Sequence, residues 1–404
     1  MAESSLADAP VAFPFPPPPS IFHPAPELGE LQRTRPVALV RLPDGKTAWL
    51  VTRFGDVRQV LTDPRFSRAA ATGPDVPDPG LGQASADSIL GMDPPEHTRL
   101  RRLVAGAFTA RRVEALRPRV VKLVDELLDH MLVLEQPADL VENFSLPLPV
   151  QVICELLGVP PRDRHAFHEW SDTILGDLTR DPADIEAAFG DLSSYFAGLI
   201  AAKRAQPEDD LMTALIDARD AQDRLSEDEL VRLGLTLLIA GHETTANQIN
   251  LILLALQEYP EELGRLRGRP ELIPQAVEEL MRFVQLGTVG AGLTRVTTEE
   301  VELSGVRIPA GAAVIPAMAV ANRDPAAAAD PDRLDLTRER FTHLGFGAGV
   351  HHCLGAQLAR MELQEALRGL LARMPRMTVD VPVDQLSFKE GIVVRSVRAL
   401  PVRW

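Results

Sequence analysis

Cys353 is the residue best placed to do chemistry. It closes the run Phe346-Gly347-Ala348-Gly349-Val350-His351-His352-Cys353-Leu354-Gly355, and a helical pattern starts at Ala356. A cysteine just ahead of a helix meets unpaired backbone N–H groups and the positive end of the helix dipole. Both favour thiolate over thiol. Glycines at 347, 349 and 355 allow tight turns and let the backbone approach something flat and bulky. A thiolate in such a cradle can ligate a soft or borderline metal. The ordinary role of a single cysteine is that of a small core hydrophobe. That is the reading for Cys154, inside the apolar stretch Val150–Leu157.

A second group lies where polar residues are costly. Residues 227–258 read as one long helix, opened by Ser226 as N-cap with Glu229 completing a capping box. Its centre, Leu233–Ala240, is apolar all round and is expected in the core. Ala240-Gly241-His242-Glu243-Thr244-Thr245 follows directly. Buried charge and polarity are expensive unless bonded or used, and glycine costs about 1 kcal/mol relative to alanine in a helix interior. A hydroxyl that bonds back to the backbone can open the helix locally. Acid, alcohol and gap together would make a groove. The plainer alternative is a polar cluster that braces the helix.

Two further spacings place charges on helix faces. Glu279 and Arg282 stand at i, i+3 in Glu279-Leu280-Met281-Arg282, and His97 and Arg101 stand at i, i+4. Arg295 opens a strand after the glycine-rich stretch 287–292. Each of these alone is more often a surface charge.

In this order the motifs resemble those of the cytochrome P450 superfamily, in its soluble bacterial class and the actinobacterial secondary-metabolism type. The cysteine run is similar to the family's haem-binding loop. Gly241-His242-Glu243-Thr244-Thr245 is similar to the middle of its long buried helix, and Glu279-x-x-Arg282 to its structural ion pair. The resemblance runs from the strands near residue 37 to the C-terminus. It implies a mainly α fold with minor β, the single triangular-prism haem-thiolate monooxygenase fold. An extended proline-rich arm (1–35) would pack on a catalytic domain (36–404).

The same resemblance implies roles. Cys353 is the axial ligand of haem b, with Phe346, Gly347, Gly355, Ala240 and Gly241 around the macrocycle. His97, Arg101, Arg295 and His351 pair with the propionates. Glu243 relays protons and Thr244 is the alcohol at dioxygen, while the thiolate's electron donation supports O–O cleavage. Glu279 and Arg282 are structural, joined by Arg338. His352 departs from the apolar residue usual before the cysteine, and His242 occupies a variable position. Electrons are expected from NAD(P)H through a separate ferredoxin and ferredoxin reductase, because the resemblance leaves no segment for a flavin or iron–sulfur domain. Arg101, Arg102, Arg111, Arg112, His352 and Arg360 would make a basic docking face for an acidic partner. The protein is expected to be a monomer.

Substrate contacts are expected from Ile89, Leu90, Leu178, Ile239, Leu286, Val289, Gly290, Ala291, Ile392 and Val393. These residues are apolar and poor in aromatics, which fits a bulky lipophilic molecule of polyketide or macrolide type. Steroid or terpenoid substrates are the alternative. The reaction is hydroxylation or epoxidation, with oxidative aryl or phenol coupling as the second enzymatic reading. The Glu243-Thr244 pair argues against a peroxygenase and against a haem-based sensor.

Composition bounds the rest. The chain has 404 residues and a formal net charge of -15, against the concentrated basic charge that nucleic-acid binding requires. Its two cysteines make no disulfide framework and no zinc spacing. No signal peptide is legible, and the apolar runs are far short of the ~20 residues that span a bilayer, so a soluble, cytoplasmic protein is expected. Strands are expected at 37–42 and 47–52, a loop at 69–88 and helices from 96 to 202 broken at each proline. Further helices are expected at 274–284 and 356–372, with strands at 293–317 and at the C-terminus.

Overall fold

Val37–Arg41 and Thr47–Val51 are almost wholly apolar, with β-branched Val37, Val40, Thr47 and Val51, and they pair as an antiparallel hairpin with Leu39 opposite Trp49. The turn between them follows from Pro43-Asp44-Gly45. Gly45 adopts φ +82°, and the Asp44 side chain accepts the Lys46 N–H at 3.0 Å. The computed structural model describes residues 9–18, 20–80, 84–175, 181–220, 225–287, 289–339, 341–389 and 394–404. Its chain divides into two compact units, residues 1–96 with 278–353 and residues 97–277 with 354–404.

The first unit is built on a six-stranded sheet. Its strands lie in the order Val11–Ala12, Val37–Arg41, Thr47–Val51, Ala313–Pro316, Arg295–Thr297 and Phe66–Ser67. Val40, Leu50 and Ile315 are fully buried in one core cluster, and Val51, Val57, Val60 and Val314 in another. Residues 1–35 are not an extended arm throughout. Val11–Ala12 joins the sheet, and Pro26–Thr34 is a helix. The prolines that forbid helix stop at Pro26, and proline is favourable in a first turn. Leu28 and Leu31 are buried, and the Gln32 amide donates to the carbonyls of Thr52 and Val320, each at 2.8 Å.

The second unit is helical. The helix Glu227–Glu258 has the expected bounds and cap. Ser226 accepts the Glu229 N–H at 3.1 Å, and the Glu229 carboxylate accepts the Ser226 N–H at 2.7 Å. Pro147–Leu157 and Ala356–Arg373 pack on it, and Ala110–Leu132 packs on the latter. Ala110–Leu132 runs straight through Pro118, where the sequence reading placed a break. Beside it, Arg117 joins Glu114 at 2.7 Å and also reaches Glu365 on the packed helix. Tertiary contact here outweighs the roughly 3 kcal/mol propensity cost of proline. Among the described residues, no helix is long and apolar enough to cross a membrane.

Candidate active site

The loop that carries Cys353 is shaped by two glycines. Gly347 and Gly349 adopt φ +69° and +71°. A Cβ on Gly349 would lie 2.3 Å from the Leu61 carbonyl oxygen, so the loop could not press against the helix Phe54–Thr62 with any larger residue. Gly355 differs. Its φ is -82° and a Cβ there would meet open space, so it is not needed for the turn. The Cys353 N–H donates to the Phe346 carbonyl at 2.9 Å, and Phe346 is buried. The thiol of Cys353 is exposed, one turn ahead of the helix Ala356–Arg373. Cys154 is the opposite case: it is fully buried, and burial pushes its thiol up to about 12.

Arg295 lies in the same unit and is 4% exposed. Its Nη1 donates to the Leu293 carbonyl at 3.2 Å. Burial drives its pKa down to about 9, with repulsion from Arg68 as the next cause. Arg68 was not singled out in the sequence, because an arginine after a short strand is unremarkable there. It too is 4% exposed and lowered, to about 10, by burial. His351 is partly buried in the 3-10 turn before the cysteine.

The third motif forms the expected triad. Glu279 pairs with Arg282 through two hydrogen bonds of 2.8 Å, and the Arg338 Nε lies 3.1 Å from both carboxylate oxygens. The remaining donors of Arg282 go to the carbonyls of Asn322, Pro331 and Arg333. Those of Arg338 reach Ala329, Asp330 and Arg333. The irregular segment 322–338 is therefore tied to the helix Ile273–Phe283 by two arginines on one carboxylate.

In the second unit, the centre of the long helix is less enclosed than its apolar pattern predicts. Ala240 is exposed and Ile239, Gly241 and Thr244 are partly exposed, although most residues on either side are buried. Four side chains in this turn bond back to carbonyls four residues earlier. His242 meets Leu238 at 2.8 Å, Thr244 meets Ala240 at 2.9 Å, Thr245 meets Gly241 at 3.3 Å and Asn247 meets Glu243 at 2.9 Å. The helix nonetheless remains continuous, so the expected local opening does not occur. Gly241 serves packing: its absent Cβ would sit 3.0 Å from Ile153 on Pro147–Leu157.

Glu243 is buried and anchored. Its Oε1 accepts from the Asn247 amide at 2.9 Å and the Ser396 hydroxyl at 3.4 Å, with the Lys389 ammonium at 3.9 Å. Asn247 has a sequence signal, the i, i+4 spacing. Ser396 and Lys389 have none, since they come from a distant segment. His97 is 1% exposed and Arg101 partly buried on the helix Glu96–Ala105. Arg99, on the same helix, pairs with Glu229 of the capping box.

The substrate-contact expectations divide. Leu90 is 42% exposed and Ile89 partly buried in a 3-10 turn, and Leu286 is partly buried. Val289 and Ala291 pack against the core cluster of the sheet instead of standing open. Leu178, Ile392 and Val393 lie outside the described residues. Among the described residues, no group of three or more His, Cys, Asp or Glu is placed to hold a metal ion. A single exposed thiol suits a metal that brings its other ligands with it.

Residues 163–396 match the family model of cytochrome P450. Nocardicin C N-oxygenase of Nocardia uniformis subsp. tsuyamanensis is 48% identical, with 94% of this chain and 95% of that protein covered. Mycinamicin IV hydroxylase/epoxidase of Micromonospora griseorubida is 50% identical, over 93% of this chain and 94% of its own. Among solved structures, the LnmA cytochrome P450 hydroxylase from the leinamycin pathway of Streptomyces atroolivaceus superposes with a TM-score of 0.90 at 47% identity. It covers 98% of this chain and 100% of that one. A match of this length, with relatives about half identical almost from end to end, places the chain in the cytochrome P450 family.

Proposed function

We propose that Cys353 is the thiolate ligand of the haem and that the enzyme inserts oxygen into a bulky lipophilic secondary metabolite of macrolide or polyketide type. Haem supplies one-electron and dioxygen chemistry, and a thiolate ligand donates electron density that favours O–O cleavage. The residues present fit that group. An exposed thiol precedes a helix, a Cβ at Gly355 would meet open space, and Arg295 is a buried cation. His97, Arg101, Arg295 and His351 would hold its propionates, and Phe346, Gly347, Gly355, Ala240 and Gly241 would line it.

Thr244 and Glu243 divide the proton work. Thr244 presents its hydroxyl on the partly exposed stretch of the long helix and anchors it on the Ala240 carbonyl at 2.9 Å. While its one proton is given to Ala240, the hydroxyl oxygen can accept from a ligand, and rotation of the O–H turns it into a donor without moving the helix. Among the described residues Glu243 accepts bonds at Oε1, and Oε2 would carry a proton from solvent. The observation that carries the reading is this partly exposed alcohol beside an anchored acid, in a helix otherwise largely buried.

Relatives act on nocardicin C and mycinamicin IV. Ile89, Leu90, Ile239 and Leu286 offer apolar, non-aromatic surface, in keeping with a large lipophilic guest. Electrons would come from NAD(P)H through a ferredoxin and its reductase. Arg111 and Arg112, exposed at the start of Ala110–Leu132, support an acidic partner. A monomeric, cytoplasmic enzyme is consistent with this supply.

Titration of the ferric protein with macrolides, polyketides, steroids and aryl compounds tests the substrate. Macrolide-type ligands should give a type I shift, and turnover should give a product one oxygen atom heavier. Exclusive binding of steroids, or a product that has lost two hydrogens and gained no oxygen, would contradict the reading.

A further inference from the structure

Arg68 and Arg295 are both 4% exposed, and they are neighbours: Arg68 follows the strand Phe66–Ser67 that pairs with Arg295–Thr297, and its guanidinium donates to the carbonyl of Thr294, so the two cations repel. A guanidinium stays charged at any physiological pH, so both are buried cations. Among the described residues, Asp93 is the one carboxylate whose charge bears on both. Asp93 is itself committed elsewhere. It accepts the Arg68 backbone N–H at 2.8 Å, the Ala69 N–H at 3.3 Å and the Ser67 hydroxyl. The Arg68 side chain spends Nε on the Leu90 carbonyl at 3.1 Å and Nη1 on the Thr294 carbonyl. Those acceptors are neutral. Two cations against one anion leave one buried positive charge unmatched, an arrangement that is costly without a counter-ion.

We propose that Arg68 completes, with Arg295, a receiving site for a carboxylate, and that Arg68 is therefore a ligand-binding residue and not only a brace between Leu90 and Thr294. A guanidinium fork suits this ligand, because its parallel N–H groups match two carboxylate oxygens. A haem propionate and a lipophilic acid offered as substrate present the same group. The propionate is the first expectation, since Arg295 already faces that charge in the reading above. Arg68 adds a cation that the four propionate-binding positions expected from sequence do not include.

The test is haem loss, measured by transfer from the ferric protein to excess apomyoglobin and independent of turnover. Parent, Arg68→Met and Arg68→Lys are each loaded with haem or with haem dimethyl ester. Arg68→Met should lose haem about tenfold faster than parent, the size of one charge-assisted hydrogen bond. Arg68→Lys, which keeps the charge but not the fork, should fall between them. With the dimethyl ester, parent and Arg68→Met should release at equal rates.

A second arm titrates parent and Arg68→Met with dodecanoic acid and its methyl ester, read as a type I shift. Unchanged haem loss with a lost preference for the acid would keep the carboxylate site and assign it to substrate. Faster release of haem and its ester by the same factor, with acid preference intact, would overturn the proposal and leave Arg68 a structural tie. So would a variant that behaves as parent in both arms.

Discussion

Glu279→Gln should lower the stability of the protein by about 3–5 kcal/mol, the cost of stripping a buried charge of its counter-ion. The Glu279 and Arg282 side chains are fully buried, and that of Arg338 is 9% exposed. One carboxylate holds two guanidiniums, so the neutral amide withdraws its charge from both. Their remaining donors already serve backbone carbonyls of the segment 322–338, which should loosen from the helix Ile273–Phe283. The exposed pair Arg99–Glu229, with side chains 43% and 20% accessible, gives the control. Arg99→Met should cost no more than about 1 kcal/mol, because solvent screens that pair. Thermal unfolding of the holoproteins, followed by circular dichroism, compares the two. Equal, small effects would mean that the triad does not hold the segment.

Thr244→Ala should leave haem and substrate binding intact and divert reducing equivalents to hydrogen peroxide. Product formed per NAD(P)H is expected to fall about tenfold or more, at the lower end of what a positioned proton donor contributes. Among the described residues the Thr244 hydroxyl bonds one turn back along its own helix, so its removal should disturb no other described element. Thr244→Ser should recover most of the coupling, since it keeps the oxygen. Oxygen uptake, peroxide and product are measured together. A Thr244→Ala protein that couples as tightly as parent would remove this hydroxyl from the proton path.

Local rules read from the sequence account for much of this fold. The capping box at Ser226 and Glu229, the hairpin turn at Asp44-Gly45 and the Glu279–Arg282 pair all depend on neighbours within four residues, and all three formed. Errors arose where distant contacts decide. Pro118 lies inside a helix because Ala356–Arg373 packs against it. Pro26–Thr34 is helical because Leu28, Leu31 and Gln32 find partners on the sheet. The candidate site divides the same way. Cys353, Glu243 and Thr244 stand in contiguous motifs, which is why the sequence offers them as candidates. Arg68, Lys389 and Ser396 approach their partners across long stretches of chain, and no spacing announces them. Gly241 and Gly355 were both noted as glycines, but for different physical reasons: the first yields to Ile153, while the second faces open space.

Thiolate ligation by Cys353 is tested most directly by the carbon monoxide difference spectrum of the reduced protein, run beside Cys353→Ser. The parent should show the strongly red-shifted Soret band of a thiolate-ligated haem, and Cys353→Ser should lack it while Cys154→Ser retains it. A parent without that band, or a Cys353→Ser spectrum indistinguishable from parent, would contradict the assignment of this cysteine to the iron.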